Sequence, residues 1–155
     1  MNNKEIARVF RDISGILELK GENVFKVRAY RKVALTIEQF PIELDTMVRE
    51  DRLREVPGVG DAIEKKIIEL VTTGKLNFFE KLKAGSPVGI TALLHIPGIG
   101  PKTAAVLVNV LGVKSVEDLE NAILDGKMAK LPRLGEKSAE KILNYIQSTR
   151  NREKI

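Results

Sequence analysis

The chain has 155 residues, of which 43% are hydrophobic and 30% charged, a balance typical of globular rather than disordered proteins. It has no cysteine and a single histidine, which excludes a Cys/His zinc site and a disulfide framework within this chain. A formal charge of +5 favours a polyanionic partner, but so mild an excess says little by itself. No signal-peptide pattern and no apolar run of membrane-spanning length is found, so we expect a cytoplasmic protein without a membrane partner.

Apolar residues recur at helical spacing along most of the chain, which predicts an all-α fold. Pro41 stops the second helix, and Gly74 suits a left-handed cap at the end of the fourth. Residues 106–111 have β-propensity, but Pro101 before them and Gly112 after them favour a helix. The predicted helices cover residues 4–19, about 26–40, 44–48, 61–73, 90–94, 102–111, 116–124 and 137–146.

The segment 84–89 is short and rich in turn-forming residues, which marks a boundary between two small helical subdomains. We expect the first subdomain over residues 1–84 and the second over residues 85–155. The final segment, residues 150–155, follows no pattern and is expected to fray. The sequence leaves the oligomeric state open, with a monomer as the default.

One short pattern occurs three times without gaps. Residues 56–67 read Val-Pro-Gly-Val-Gly-Asp-Ala-Ile-Glu-Lys-Lys-Ile, residues 96–107 read Ile-Pro-Gly-Ile-Gly-Pro-Lys-Thr-Ala-Ala-Val-Leu, and residues 131–142 read Leu-Pro-Arg-Leu-Gly-Glu-Lys-Ser-Ala-Glu-Lys-Ile. Their prolines are 40 residues apart (97 − 57) and then 35 (132 − 97). A recurrence at this spacing indicates a structural unit that is used more than once.

The first half of the pattern builds a tight turn between two helices. Its proline presets φ and ends the first helix. Gly58 and Gly98 can take the positive φ that a tight hairpin requires. The apolar residue that follows is expected to point inward and to pin the hairpin between its two helices; it is Val59, Ile99 or Leu134.

The second half of the pattern suits an anion. Its last glycine (Gly60, Gly100 or Gly135) has no Cβ, so a ligand can approach the backbone closely. The N–H groups of the hairpin and of the next helical turn lack intrahelical partners, and the helix dipole adds positive potential there. A phosphate oxygen fits such a position, and Lys102 and Lys137 are placed to add charge to the contact.

A Pro-Gly-x-Gly segment is also an ordinary turn between helices, and a single copy would leave both interpretations open. Three copies favour phosphate binding. In the first copy the charge of Asp61 opposes a phosphate unless the side chain turns away to cap the helix, and Glu64 stands where the other copies have Ala104 and Ala139. In the third copy Arg133 replaces the hairpin glycine, which indicates a structural descendant rather than a full phosphate site.

Residues 19–34, Leu-Lys-Gly-Glu-Asn-Val-Phe-Lys-Val-Arg-Ala-Tyr-Arg-Lys-Val-Ala, resemble the first conserved block of the family-X DNA polymerases, which include the β-type repair polymerases. The hairpin patterns follow in that family's order, and residues 131–138 resemble its bacterial and archaeal branch. The resemblance covers essentially the whole chain. It implies a helix-hairpin-helix protein with a lyase-type domain over residues 1–84 and a fingers-like subdomain from residue 85. No Asp-x-Asp pattern is found, so we expect no polymerisation by this chain alone.

The resemblance also implies DNA-binding residues. The family's first domain binds a 5′-phosphate at a gap, and Lys26, Tyr30 and Arg54 match that pocket. Basic residues on the same helix surround Tyr30, and a basic cluster beside an aromatic ring suits a terminal nucleotide. The alternative is that Tyr30 belongs to the core and the cations form a solvated helix face. The predicted DNA-binding residues are Lys26, Arg28, Tyr30, Arg31, Arg54, Gly58, Gly60, Lys65, Gly98, Gly100, Lys102, Thr103, Gly135, Lys137 and Ser138.

Some family members cleave a sugar phosphate with a lysine that forms a Schiff base, and Lys66 matches that position. The reaction needs a neutral amine, which neighbouring cations and partial desolvation supply by lowering the pKa. A supporting lysine common at this hairpin is Ala62 here, which counts against lyase activity. An ordinary exposed lysine is the alternative.

The family's hairpins also hold a monovalent cation, Na⁺ or K⁺, through backbone carbonyl groups, and no other cofactor is implied. The matching carbonyls are those of Arg54, Val56, Val59, Leu94, Ile96 and Ile99.

Together these observations favour a protein that binds gapped, nicked or primer-template DNA without sequence preference, in association with the nucleoid. Two alternatives stay open at this point. One is a 5′-deoxyribose-phosphate lyase that uses Lys66, and the other is a protein-interaction adaptor that kept the fold but lost DNA binding.

Overall fold

The computed structural model describes residues 1–87, 89–131 and 134–153, and every regular element in these ranges is helical, which confirms the all-α prediction. None of the described helices is long and apolar enough to cross a membrane. The chain divides into two compact units, Met1–Gly85 and Ser86–Ile155. In chain order the helices are α1 (Asn3–Leu19), α2 (Val24–Gln39), α3 (Leu44–Arg49), α4 (Asp61–Thr73), α5 (Asn77–Ala84), α6 (Ile90–Leu94), α7 (Pro101–Leu111), α8 (Val116–Leu124) and α9 (Glu136–Glu153).

The packing of α1 against α2 forms the centre of the first unit. Both helices start at an asparagine cap: the side chain of Asn2 accepts a hydrogen bond from the Glu5 N–H, and that of Asn23 accepts one from the Phe25 N–H. Asn23 therefore begins α2 at Val24, earlier than the apolar periodicity predicts. The buried residues of these two helices include Ile6, Phe10, Ile13, Val27, Val33 and Ile37.

A 3₁₀ turn, Leu53–Glu55, leads from α3 into the first hairpin and α4. At the far end of α4, Gly74 adopts φ 77°, which confirms the predicted left-handed cap. Helix α5 follows, and the sequence analysis did not predict it. The N–H of Asn77 at its start donates to Glu69 Oε2 at 2.7 Å, a contact with α4 that no local pattern reveals.

The second unit contains α6 to α9 and a second 3₁₀ turn, Met128–Lys130. Helices α6 and α7 form the second hairpin, while α8 packs against α9. At the start of this unit a Cβ on Gly89 would lie 2.7 Å from the Lys114 carbonyl oxygen, so only glycine fits there.

The prediction that residues 150–155 fray is wrong for the part that the structure describes, because α9 continues to Glu153. Arg150 donates to Glu120 Oε1 at 2.6 Å, and the Glu120 side chain on α8 is almost buried. This long-range ion pair gives the last turns of α9 a partner that the sequence pattern could not show. Residues 154–155 lie outside the described ranges.

Replacing Phe10 with alanine should lower the free energy of unfolding by about 3–5 kcal/mol, because the ring is fully buried and its removal leaves a cavity. Urea denaturation followed by circular dichroism measures this change. Phe25→Ala is the matched control: this ring is 78% exposed, so its loss should cost no more than about 0.5 kcal/mol. Equal losses from the two substitutions would contradict the packing described here.

Candidate nucleic-acid interface

The first two copies of the repeated pattern share one backbone shape at their glycines. Gly58 and Gly98 adopt φ 87° and φ 90°, which confirms that the hairpins need positive φ at this position. Gly60 and Gly100 are both extended, with φ −105°, ψ −169° and φ −92°, ψ 178°. The equivalent position of the third copy, Arg133, lies outside the described residues.

Two backbone hydrogen bonds recur in each copy. The first closes the turn: it runs from the N–H of Val59 to Val56 O (3.1 Å), from Ile99 to Ile96 O (3.0 Å) and from Leu134 to Leu131 O (3.2 Å). The second starts the next helix at the last glycine: it runs from the N–H of Glu64 to Gly60 O (2.9 Å), from Ala104 to Gly100 O (2.9 Å) and from Ala139 to Gly135 O (3.1 Å). The sequence repeat is therefore also a structural repeat.

Buried side chains hold the hairpins in place. Val59 and Ile99 are almost fully buried, which confirms that they point inward, whereas Leu134 of the third copy is half-buried. Ala104 and Ala139 are buried as well, as expected for small residues at a close helix crossing.

The last glycine of every copy borders open space, and so does Gly98. A Cβ built on Gly60, Gly98, Gly100 or Gly135 would meet no atom within 4 Å. Packing within the protein therefore does not explain why these positions are glycine. The positive φ explains Gly98, but Gly60 and Gly100 have dihedral angles that other residues also adopt. An absent Cβ at such a position leaves room for a ligand that contacts the backbone.

The open surface lies at the start of a helix in every copy. There the first-turn N–H groups have no intrahelical acceptor, and the helix dipole attracts an anion. Helix α7 begins with Pro101, which has no N–H, so the donors available to a ligand are those of Gly100, Lys102 and Thr103. The side chain of Lys102 is exposed and that of Thr103 is half-buried. In the third copy, Lys137 and Ser138 are both exposed.

The first hairpin differs from the second in its electrostatics. Arg54 pairs with Asp61 and places its Nε 3.3 Å from Glu64 Oε2. The possibility that Asp61 turns away to cap α4 is not realised, because Gly60 holds the capping position and no side chain caps this helix. Two carboxylates therefore compete with a phosphate for Arg54. Lys65 is exposed on the same helix.

Three aromatic rings form a stack beside α4. The ring of Tyr30 lies 6.0 Å from those of Phe10 and Phe78, centroid to centroid, nearly parallel to both. Tyr30 is only 5% exposed, and burial raises the pKa of its hydroxyl. The sequence left open whether Tyr30 contacts a nucleotide or belongs to the core. In the structure its ring belongs to the core. A base could stack on it only if this core opened.

Two lysines lie over the outermost ring of the stack. Lys66 Nζ is 4.7 Å and Lys26 Nζ is 5.9 Å from the centroid of Phe78. Desolvation by burial lowers the pKa of Lys66, the positive charge of Lys26 lowers it further, and Glu69 opposes the shift. From the sequence, Lys26 is predicted to contact a 5′-phosphate and Lys66 to form a Schiff base; the structure brings both amines to one ring. Phe78, which joins them, was not singled out.

The rest of the basic cluster on α2 faces away from the aromatic stack. Arg31 donates to Glu18 Oε2 at 2.7 Å, and Arg28 lines a shallow surface cleft with Leu35. The sequence analysis also missed Phe25, the most exposed aromatic ring among the described residues. The cap residue Asn23 could have indicated it. A helix that starts directly after Asn23 places Phe25 in the first turn and away from the core.

Two of the carbonyls predicted to hold a monovalent cation accept equivalent hydrogen bonds in the first two hairpins. The Val56 and Ile96 carbonyls each accept the turn-closing hydrogen bond described above, which leaves one lone pair on each oxygen. Arg54 belongs to a 3₁₀ turn and Leu94 ends α6. The cation site itself stays a prediction.

Comparison with known proteins places these hairpins in a family. The protein-family model for a helix-hairpin-helix domain matches residues 1–76. The family model for a SAM-like helix-hairpin-helix tandem matches residues 90–148. The DNA polymerase/3′-5′ exonuclease PolX of Bacillus subtilis (strain 168) is 38% identical over 146 residues, which cover 94% of this chain and 25% of that protein. DNA polymerase lambda of Arabidopsis thaliana is 32% identical over 120 residues, which cover 77% of this chain and 22% of that protein. The chain thus spans about a quarter of the length of these relatives.

Proposed function

Because the chain is homologous to family-X DNA polymerases over most of its length, we propose that it is the DNA-binding, N-terminal portion of such a polymerase. The observation that carries the proposal is the open glycine at the start of α4, α7 and α9. Each of these positions offers backbone N–H donors to an anion, and a DNA strand presents phosphates at regular intervals. The protein needs no contact with the bases, so binding is independent of sequence.

The second hairpin offers the most complete phosphate site. A phosphate oxygen accepts hydrogen bonds from backbone N–H groups at the start of α7, and Lys102 supplies a full positive charge beside them. The absent Cβ of Gly100 lets the phosphate approach. Pro101 and Ala104 occupy the positions that Asp61 and Glu64 hold in the first hairpin, so those two carboxylates have no counterpart there.

The two units carry one complete hairpin each, which suits DNA at an interruption. We propose that the first hairpin binds the strand downstream of a gap or nick and that the second binds the upstream duplex. Lys26 and Lys66, whose amines share the ring of Phe78, provide the positive charge for a terminal phosphate. The exposed ring of Phe25, next to Lys26, is placed to stack on a base beside the interruption.

A bound Na⁺ or K⁺ would fit the hairpin carbonyls chemically, since such ions take neutral carbonyl oxygens as ligands. The carbonyls of residues 54, 56 and 59 repeat at the same spacing in residues 94, 96 and 99. When bound, the ion would add positive charge next to the phosphate.

Gly100→Ala should weaken the binding of nicked duplex DNA about tenfold, because a Cβ takes the space of a phosphate that accepts charge-assisted hydrogen bonds. Fluorescence anisotropy measures the affinity, and Asn109→Ala, exposed on the same helix, is the control. The fold should survive, because the position is open and its φ suits alanine.

For the unchanged protein, about six phosphate contacts predict a roughly thousandfold loss of affinity between 50 and 200 mM salt. Unchanged binding by Gly100→Ala, or a flat salt response, would favour the adaptor alternative.

Asp61→Asn should strengthen binding of the same DNA several-fold at low salt. The substitution removes a carboxylate from the first hairpin and frees Arg54 from one of its two acidic partners. Glu55→Gln, on the exposed 3₁₀ turn, removes the same charge but leaves Arg54 paired, and it should have a smaller effect. A weaker complex with Asp61→Asn would mean that the acid positions Arg54 rather than competing with the phosphate.

A second candidate function is supported by the position of Lys66. Its lowered pKa increases the fraction of neutral amine at neutral pH, where an ordinary lysine is almost fully protonated. We propose that this amine can attack the C1′ aldehyde of an abasic deoxyribose and form an imine with loss of water. Elimination of the 3′ phosphate and hydrolysis of the imine would then return the lysine.

Borohydride should trap this protein on incised abasic DNA by reducing the imine to a secondary amine. Lys66→Ala should abolish the adduct, while Lys65→Ala, an exposed neighbour, should retain it. Because the pKa of Lys66 is lowered, trapping should persist to a lower pH than trapping by a free alkylamine of ordinary pKa. An adduct that survives Lys66→Ala rules out this lysine, and no adduct with the unchanged protein removes the lyase function.

A further inference from the structure

A groove of about 570 Å³ lies in the second unit beside the hairpin that contains Gly98. Thr103 of α7 lines one side of the groove, and Ser138, Lys141 and Tyr145 of α9 line the other. Its volume is within the range of small-ligand sites, roughly 300–1,000 Å³. Pro97, Leu134 and Ile142 add apolar side chains to its lining.

The face of α9 that lines the groove combines three kinds of group. Residues 141 and 142 each lie three or four positions from both 138 and 145, so the four residues share one side of the helix. Ile142 is 3% exposed and forms an apolar floor, while Lys141 is exposed and adds positive charge. Tyr145 is 40% exposed, and it is the only Phe, Tyr or Trp in the sequence after Phe79.

We propose that this groove binds one unpaired nucleotide of the DNA held by the second hairpin, with its base stacked on Tyr145 and its phosphate next to Lys141. The proposal rests on DNA binding by that hairpin. A half-exposed aromatic ring beside a cation is the arrangement that single-stranded nucleic acid uses, because every base has a face to stack and a phosphate to neutralise.

The position of the groove indicates why its nucleotide belongs to the bound DNA. Gly98 and Thr103 line it and also belong to the hairpin that is predicted to hold a phosphate. A strand on the hairpin therefore reaches the groove without crossing another surface. The hydroxyls of Thr103 and Ser138 can both donate and accept hydrogen bonds, so they accommodate the edge of any base.

Two other depressions lack this combination. The cavity formed by the end of α7 and by α8 is lined by Asp118, Asp125 and Lys127, so its net negative charge repels a phosphate. The cleft on α2 is lined by Arg28, Lys32 and Leu35 without an aromatic ring.

The test compares a nicked duplex with duplexes that carry three unpaired thymidines at the 5′ or the 3′ side of the nick. At least one tailed duplex should bind about tenfold more tightly than the untailed nick, the gain expected for one stacked base. Tyr145→Ala should remove this gain and leave the affinity for the untailed nick unchanged. Tyr145→Phe should keep it, and Asn144→Ala, exposed on another face of α9, should have no effect.

Three outcomes would overturn the assignment. Neither tail improves binding, the improvement survives Tyr145→Ala, or free thymidine monophosphate binds to the groove while neither tail does, which would identify a mononucleotide site instead. If the untailed nick itself does not bind, the proposed DNA binding fails and this assignment fails with it. Normal binding of the untailed nick without any gain from a tail rejects the groove alone.

Discussion

Access to the backbone at the start of a helix is the constraint on which the interface depends. A first helical turn has N–H groups that no helical carbonyl can satisfy, and a phosphate can accept from them only if no side chain covers them. Gly60 and Gly100 keep that approach open although their backbone angles would allow other residues. The hydrophobic positions before them fix the turn to the core, so the donors are held in place before DNA arrives. Preorganised donors lose little entropy when they bind an anion.

The sequence predicted the parts of the fold that repeat locally. The apolar periodicity indicated eight helices, and the three hairpin patterns predicted the positive φ of Gly58 and Gly98 and the burial of Val59 and Ile99. It failed where polar contacts outside the apolar pattern support a helix. Arg150 near the end of α9 pairs with Glu120 of α8, and the Asn77 N–H at the start of α5 donates to Glu69. An apolar periodicity carries no signal for either contact.

The candidate site shows the same division. The resemblance gave Lys26 and Lys66 separate roles, and only the structure shows that both amines share the ring of Phe78 and that Tyr30 is buried behind it. The pairing of Arg54 with Asp61 and Glu64 also depends on how the hairpin folds. As a result the two complete hairpins, which look similar in sequence, differ in charge: the first carries its own acidic competitors, and the second offers its donors without them.

Amide chemical shifts of the labelled protein during titration with nicked duplex DNA report on the backbone donors themselves. The largest changes should occur at the N–H groups of Gly60, Gly100, Lys102, Thr103 and Gly135, and they should reverse when salt is added. If the large changes are instead confined to other surfaces, such as the exposed side of α2, and these backbone amides are unperturbed, the DNA binds elsewhere and the hairpin donors are not its site.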